Sequence, residues 1–421
     1  MRQSSASAVQ AALDVVPGTL EQTYCNNLLR IPKEDRHLAK QAFLWLAFSV
    51  RPLKFTELCE AAIINERHSS INEDARILRP NDLLQMCSSL VVYDSKDENI
   101  VLAHSCVRAY LTSQQIRQSE ARDFFIDATT AHTILTRKSV SYLCSSDLAV
   151  GYCDTFKDLV NRYKRWPLLA YAFYSWQTHA QHLDGAEIDN LTRSILLRFF
   201  DTADNPRGGN YGAYVQAWLP FEPFSIENTT PLHHAARFGN KTLIKMILAK
   251  QGTAKLDLRG GRGGFTPLNV ACNFDFVEVA RILLAAGASV HGTNDNGDCA
   301  LQWPLMQGLV TVVELLLDHG ADPDFRNEKG HAPLYHAIQG RDEACCAALV
   351  RAGAITTNVD GKGLDVITIP RRTHELGEKH SDIGDGQREI EEGQLLWAVT
   401  LQRTTPSREM LKLRDDVIPA T

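Results

Sequence analysis

Between Thr229 and Gly363 the chain repeats itself, and that repetition narrows the possible folds to a stack of like units. Thr230-Pro231-Leu232-His233, Thr266-Pro267-Leu268-Asn269, Cys299-Ala300-Leu301-Gln302 and Ala332-Pro333-Leu334-Tyr335 open successive repeats at a nearly constant interval, the first slightly longer than the others. Three repeats close alike, with Ala286-Gly287-Ala288, His319-Gly320-Ala321 and Ala352-Gly353-Ala354 recurring at that interval. Each residue type has a physical reason for its place. Thr caps the free amides of a first helix, and Pro at the first helical position gives up an amide that had no partner. Leu243, Ile244, Ile247 and Leu248, and later Val312, Val313, Leu315, Leu316 and Leu317, fall at helical spacing and mark the buried face of a second helix. Gly287, Gly320 and Gly353 stand where that helix must stop in a left-handed residue. Asn296-Gly297, Lys329-Gly330 and Lys362-Gly363 mark the turn that joins one repeat to the next. No single repeat can bury both faces of its helix pair, so the repeats must stack.

A period of about 33 residues with this opening resembles the ankyrin repeat, over about a third of the chain. The resemblance implies binding of a protein partner through loop tips and the exposed side of the first helices. Carrying the family's variable positions onto this chain places Arg262, Phe265, Asp295, Asn296, Asp298, Glu328, Lys329 and His331 on the tips. It places Arg237, Phe238, Asn273, Phe274, Met306, Gln307 and Gln339 at the helix ends beside them. Phe238, Phe274 and Met306 either form an exposed apolar patch or tuck between neighbouring repeats. Repeat 3 departs from the pattern. Cys299-Ala300 replaces Thr-Pro, and Pro304 falls inside its first helix, at ~3 kcal/mol unless it lies in the first turn. Distortion is expected there. A fifth repeat starts in phase at Leu364-Asp365-Val366-Ile367, but Pro370-Arg371-Arg372 reduces it to a partial cap.

With 421 residues, about three domains are expected, and a net charge of −6 gives no general attraction to nucleic acid or acidic membranes. No run of 18 apolar residues occurs and no signal core follows Met1, so neither a membrane span nor secretion is expected. Ten scattered cysteines without a Cys-x-x-Cys pair read as reduced thiols of an intracellular protein, cytoplasmic and/or nuclear.

Ahead of the repeats, residues 20–112 read as three helices and a hairpin. Leu38, Ala42, Trp45 and Leu46 mark a helix over 34–49, Thr56 caps a second through Ala62, and Pro80-Asn81 starts a third over 82–90. Val91-Val92-Tyr93 and Ile100-Val101-Leu102-Ala103-His104 flank a polar turn, and a helix over 105–111 follows. That is the order of a winged helix. Gly18-Thr19-Leu20-Glu21-Gln22-Thr23-Tyr24, the run from Ala42 to Leu53, Cys87-Ser88-Ser89-Leu90-Val91 and the run from Leu102 to Leu111 resemble the winged-helix segment of fungal NACHT-ankyrin, NLR-like proteins. The same segment also goes by the label of GPI inositol-deacylase, a name that implies no esterase chemistry here. In that family a nucleotide-binding NACHT module comes first. Here about 20 residues precede the winged helix, and no Gly-x-x-x-x-Gly-Lys-Ser/Thr occurs. Gly239-Asn240-Lys241-Thr242 lacks the upstream Gly and the Gly-Lys pair, so NTP switching is not expected. The chain reads as the back half of such a protein, either a natural short member or a truncated gene model. Nor is direct DNA binding expected. Residues 82–90 carry no basic side chain, and residues 31–112 hold 10 Lys plus Arg against 11 Asp plus Glu.

Residues 113–201 read as a helical segment. Phe156, Leu159, Val160 and Tyr163 share one face; Leu168, Tyr171, Ala172, Ser175 and Trp176 share another, as a core helix or, on the sharper reading, an aromatic platform for a sugar or base. Residues 202–228 read as a linker whose Trp218, Phe221 and Phe224 cover the first repeat. His179 and His182 read as a polar helix face, with a metal as the alternative, although no carboxylate or Cys completes a ligand set. His233 bonds backbone to steady the Thr-Pro turn. Arg259-Gly260-Gly261-Arg262-Gly263-Gly264-Phe265 resembles an RGG nucleic-acid element, yet occurs once and reads as a flexible insertion. No Gly-x-Ser-x-Gly elbow or Cys-His-Asp signature is present, so no active site and no cofactor are expected. In the tail, 364–421, a polar stretch that reads as mobile precedes Leu395, Leu396, Trp397, Val399 and Leu401, a short amphipathic helix that caps the stack or meets a partner.

The expected fold is mainly α: a winged-helix domain and helical segment, then an ankyrin-repeat solenoid over 229–363. The expected role is that of a non-enzymatic regulatory or adaptor protein holding a protein partner. The alternatives are a transcriptional co-regulator acting through a DNA-binding partner, and a fragment of an NLR-like signalling protein.

Overall fold

The computed structural model describes residues 19–66, 80–183, 188–201, 208–218, 223–357 and 359. Phe221, the side chain of Phe224, Lys362-Gly363, the fifth repeat and the tail helix lie outside the described residues. The chain divides into two compact parts, and the expected helical segment is shared between them. Residues up to Ser145 join Arg165–His182 in one; Ser146–Lys164 join the chain from Leu183 onward in the other.

In the first part, helix Arg36–Phe48 buries Ala39, Ala42, Phe43, Trp45 and Phe48. The Trp45 indole N–H donates to the Ala61 carbonyl at 2.9 Å, which ties this helix to Phe55–Ile63. Thr56 does not cap that second helix, which starts one residue earlier. The Glu57 carboxylate accepts from the Lys54 amide at 2.8 Å and from the Arg51 guanidinium at 2.7 and 2.5 Å. A carboxylate in the first turn meets both the free amides and the positive end of the helix. Strands β1 (Leu53–Lys54), β2 (Val91–Asp94) and β3 (Asn99–Leu102) form an antiparallel sheet in the order β1-β3-β2. β1, two residues long, has no legible alternation, and its pairing with β3 completes the winged helix. The helix Pro80–Cys87 contains Asp82 and no Lys or Arg.

Helices Ala128–Leu143 and Leu169–Ala180 complete this part. Leu168, Tyr171, Ala172, Ser175 and Trp176 are all buried, as their shared face requires. His179 departs from the expected polar face, for it is 0% exposed. Its Nδ1 lies 2.9 Å from His132 Nδ1 and its Nε2 lies 2.9 Å from the Tyr171 hydroxyl, which accepts the Val50 amide at 3.1 Å. His182 stacks on His132 with ring centroids 3.7 Å apart. Hydrogen bonds at both ring nitrogens make a buried imidazole tolerable.

In the second part, helix Phe156–Arg165 buries Leu159, whereas Phe156, its first residue, is 51% exposed. A side chain in that position points back over the preceding turn instead of onto the core. The expected linker contains a helix, Gly209–Trp218, with Tyr211, Ala213, Tyr214 and Val215 buried. Its glycines conceal the helix in the sequence. A Cβ on Gly208 would lie 2.9 Å from Gly212 Cα, so the first turn closes through glycine because of a tight approach. Phe199, Phe200, Tyr211 and Tyr214 pack edge-on or tilted at 5.4–6.1 Å, and the Tyr211 hydroxyl pairs with His234 Nδ1. These aromatics cover the front of repeat 1. Trp218 lies 6.4 Å from Phe238, as expected of a covering residue.

Inner helices Pro231–Arg237, Pro267–Asn273, Gln302–Gln307 and Pro333–Gly340 alternate with outer helices Lys241–Gln251, Val277–Ala285, Val310–Asp318 and Glu343–Arg351. Gly287, Gly320 and Gly353 take φ of 95, 84 and 93° just beyond the outer helices. Repeat 3 is distorted as expected. Its inner helix starts late, which leaves Pro304 as the third residue, inside the first turn, where no hydrogen bond is lost. None of the helices among the described residues is long and apolar enough to cross a membrane.

Candidate protein-binding surface

The loop tips of the stack are built by a repeated brace. Asn294 Oδ1 accepts from the amides of Asn296 and Asp298 at 2.9 Å each; one repeat on, Asn327 Oδ1 accepts from Lys329 and His331 at 3.0 Å each. Both asparagines are buried. Neighbouring tips are also joined. The Asp295 amide donates to Gly263 O at 2.9 Å, and the Asn327 amide group donates to the Asp298 carboxylate at 2.9 Å. The backbone of each tip is therefore fixed by the next. Sequence reading missed Asn294 and Asn327, although their recurrence in phase with the repeat was the available signal.

Beneath the tips a second brace links the inner helices to the loops. His233 Nδ1 accepts from the Thr230 amide at 3.0 Å, and its Nε2 meets Phe265 O at 2.8 Å. Asn269 does the same work one repeat on, with Thr266 N at 3.0 Å and Gly292 O at 3.3 Å. Burial pushes the His233 imidazole down to about 4, so it stays neutral and keeps the acceptor that the brace needs.

This bracing sorts the expected contact residues. Arg262, Asp295, Met306, Gln307, Glu328, Lys329 and Gln339 are exposed. Met306, at 45%, is the apolar member of that set. Asn273, Asn296, Asp298 and His331 are half-buried. Asp298 spends its carboxylate on Asn294 and Asn327, and the His331 ring stacks on Tyr335 at 4.0 Å. Phe265 is a correction, since it is 7% exposed and no tip contact. The Gly260 amide donates to Phe265 O at 2.9 Å and the Gly261 amide to Thr229 Oγ1 at 2.8 Å, which folds the phenyl ring back under Gly263. The Arg-Gly stretch, where repeat 1 is longer than the others, is thus a hydrogen-bonded turn with Arg262 at its apex.

Arg237, Phe238 and Phe274 resolve the choice between patch and tucking. All three are half-buried, with the Arg237 guanidinium 4.9 Å from the Phe274 ring centre and 5.9 Å from that of Phe238. Burial lowers the Arg237 guanidinium to about 10, and the aromatic faces compensate part of that desolvation. Arg237 and Phe274 fasten repeat 1 to repeat 2, Phe238 faces Trp218 ahead of repeat 1, and Met306 stays outside. Gln307 Nε2 donates to Asn273 O at 3.2 Å, so the exposed row also spans two repeats. The surface offers charge and hydrogen-bond contacts around one thioether. The described residues hold no group of three His, Cys, Asp or Glu side chains that could take a metal ion.

Comparison with known proteins agrees with this architecture. The family model for ankyrin repeats matches residues 208–294 and 285–360. The model described as GPI inositol-deacylase, winged helix domain, matches residues 27–127. Azaphilone pigments biosynthesis cluster protein L of Monascus ruber is 27% identical over 74% of this chain and 61% of its own length. Ankyrin repeat and SOCS box protein 11 of Pongo abelii is 33% identical over 26% of this chain and 33% of its own. SH3 and multiple ankyrin repeat domains protein 2 of Homo sapiens is 35% identical over 24% of this chain and 6% of its own. The chain thus spans less than two thirds of the length of each of these relatives. It is a mainly α protein that joins a winged-helix domain of the GPI inositol-deacylase type to a solenoid of ankyrin repeats, a module for protein–protein interaction.

Proposed function

We propose that this chain is a regulatory or adaptor protein of the cytoplasm or nucleus, and that the exposed row Arg262, Asp295, Met306, Gln307, Glu328, Lys329 and Gln339 holds its protein partner. The observation that supports this is the double brace. Asn294 and Asn327 fix the tips, His233 and Asn269 fix the loops to the inner helices, and the exposed side chains start from a rigid base. A preformed surface loses little backbone entropy on association. The similarity to a protein named for a pigment biosynthesis cluster covers 74% of this chain, more than either module alone.

Affinity purification of the tagged chain tests the reading. One variant carries Arg262→Ala, Met306→Ala, Gln307→Ala and Lys329→Ala; a control carries Arg281→Ala and Arg351→Ala on the outer helices. A defined partner kept by parent and control and lost by the folded row variant supports the proposal. Recovery of the same proteins by all three removes it. A partner that is itself a DNA-binding factor, with the chain enriched in the nucleus, makes the protein a transcriptional co-regulator.

A further inference from the structure

The four repeats differ in what lies on their C-terminal side. In repeats 1 to 3, the sixth inner-helix position counted from the Pro-Leu opening (Ala236, Cys272, Leu305) is shut from solvent. So is the fourth outer-helix residue (Ile244, Ala280, Val313). In repeat 4 the same places hold Ile338 and Cys346, both half-buried. One turn on, Val350 is 50% exposed, where Leu248 and Leu317 of repeats 1 and 3 are half-buried and Leu284 of repeat 2 is 9% exposed. The end of the described stack is an apolar face shaped like those that the next repeat covers elsewhere.

The sequence that follows keeps the phase of the braces. Asp360 stands one repeat beyond Asn327 and carries the same kind of side-chain acceptor that holds each earlier tip. Lys362-Gly363 repeats Lys329-Gly330. Ile367 stands one repeat beyond Leu334, at the place of Leu232, Leu268, Leu301 and Leu334, all 1% exposed or less. Pro370, which breaks the pattern by eye, is in phase with Pro304, and Pro304 fits repeat 3 because the helix starts late enough to hold it in the first turn. Val359, fully buried and accepting from the Ala332 amide at 2.9 Å, brings the chain to this edge. The stretch from Asp360 to Thr421 is longer than one full repeat.

We propose that the face of Ile338, Cys346 and Val350 is an intramolecular docking site, covered by a fifth repeat built from the chain after Val359 and seated through Ile367. The stack then ends in this chain's own residues, and the face is closed to partners. This stands apart from the reading of the exposed row.

Maleimide labelling of the full chain, read by mass spectrometry at each cysteine, tests it. Cys346 of the parent is expected to label slowly at every protein concentration. In Ile367→Asp it labels at least about tenfold faster, while Cys272 and Cys345, buried within repeats 2 and 4, stay protected. If Cys272 also reacts, the stack has opened, and the milder Ile367→Ala is judged by the same ratio. Equal rates at Cys346 in parent and variant overturn the proposal. Protection that fades on dilution as a dimer dissociates overturns it in favour of a second copy.

Discussion

His233 Nε2 lies 2.8 Å from the carbonyl oxygen of Phe265, 32 residues away, while its Nδ1 accepts from the Thr230 amide three residues back. The accepting Nδ1 places the ring proton on Nε2, which donates to Phe265. One side chain therefore satisfies a helix start and the next loop. We expect His233→Ala to destabilise the repeats by about 1–3 kcal/mol in urea unfolding, because it leaves a buried donor and a buried acceptor unpaired. His233→Asn should cost clearly less, since Asn269 holds the equivalent groups in repeat 2. Equal losses for the two variants would show that the ring acts by packing alone.

Gln302 occupies the same place in repeat 3, is buried, and neither its Oε1 nor its Nε2 has a partner among the described residues. Without Thr at 299, and with the helix starting late, the longer amide misses the groups that His233 and Asn269 reach. Replacing both polar atoms with an apolar group of similar size removes two desolvated groups. Gln302→Leu should raise stability by about 1 kcal/mol, and an unchanged or lower urea midpoint would contradict this.

Much of the stack was legible because period and helix chemistry agree. Thr-Pro openings, apolar spacing and closing glycines all name the same boundaries. The tips were less legible, since burial there depends on backbone direction. Phe265 reads as an exposed aromatic until the Gly260–Phe265 pairing turns it inward. Arg237 reads as surface charge until Phe274 from the next repeat lies against it. The helix over 209–218 was hidden by glycines that a close approach requires, and His179 by a partner, His132, 47 residues earlier in the chain. In each case the deciding neighbour is remote in sequence.

Gly340 and Arg341 are adjacent and should respond in opposite directions. A Cβ on Gly340 would meet the Leu305 and Met306 carbonyl oxygens at 2.5 and 2.8 Å, and backbone cannot swing aside as a side chain can. Gly340→Ala should therefore cost about 1–3 kcal/mol. Arg341 has φ 58°, in the interhelix turn where repeats 1 and 3 place Gly239 and Gly308. Arg341→Gly should gain about 0.5–1 kcal/mol by relieving a left-handed non-glycine residue. Thermal melts of the two single variants decide, and shifts of the same sign would refute the argument.

Five buried or half-buried histidines should make the fold sensitive to mild acid. Burial is the main cause in each, lowering His179 and His234 to about 3 and His132, His233 and His336 to about 4, from an ordinary value near 6.5. His132 and His179 also feel each other or His182, and Arg108 faces His132, so cationic neighbours oppose a further proton there. Arg237 opposes one at His234. Because the folded values are depressed, the unfolded chain binds protons first. Stability is full above about pH 6.5 and falls as pH drops toward 4, ahead of most carboxylate titration. Urea midpoints at pH 7.5, 6.5, 5.5 and 4.5 should decline steadily below 6.5. His179→Phe should flatten that decline for the first compact part, whatever it does to stability at neutral pH. A midpoint that stays level from pH 7.5 to 4.5 would mean that these imidazoles accept protons in the folded state as readily as in the unfolded one.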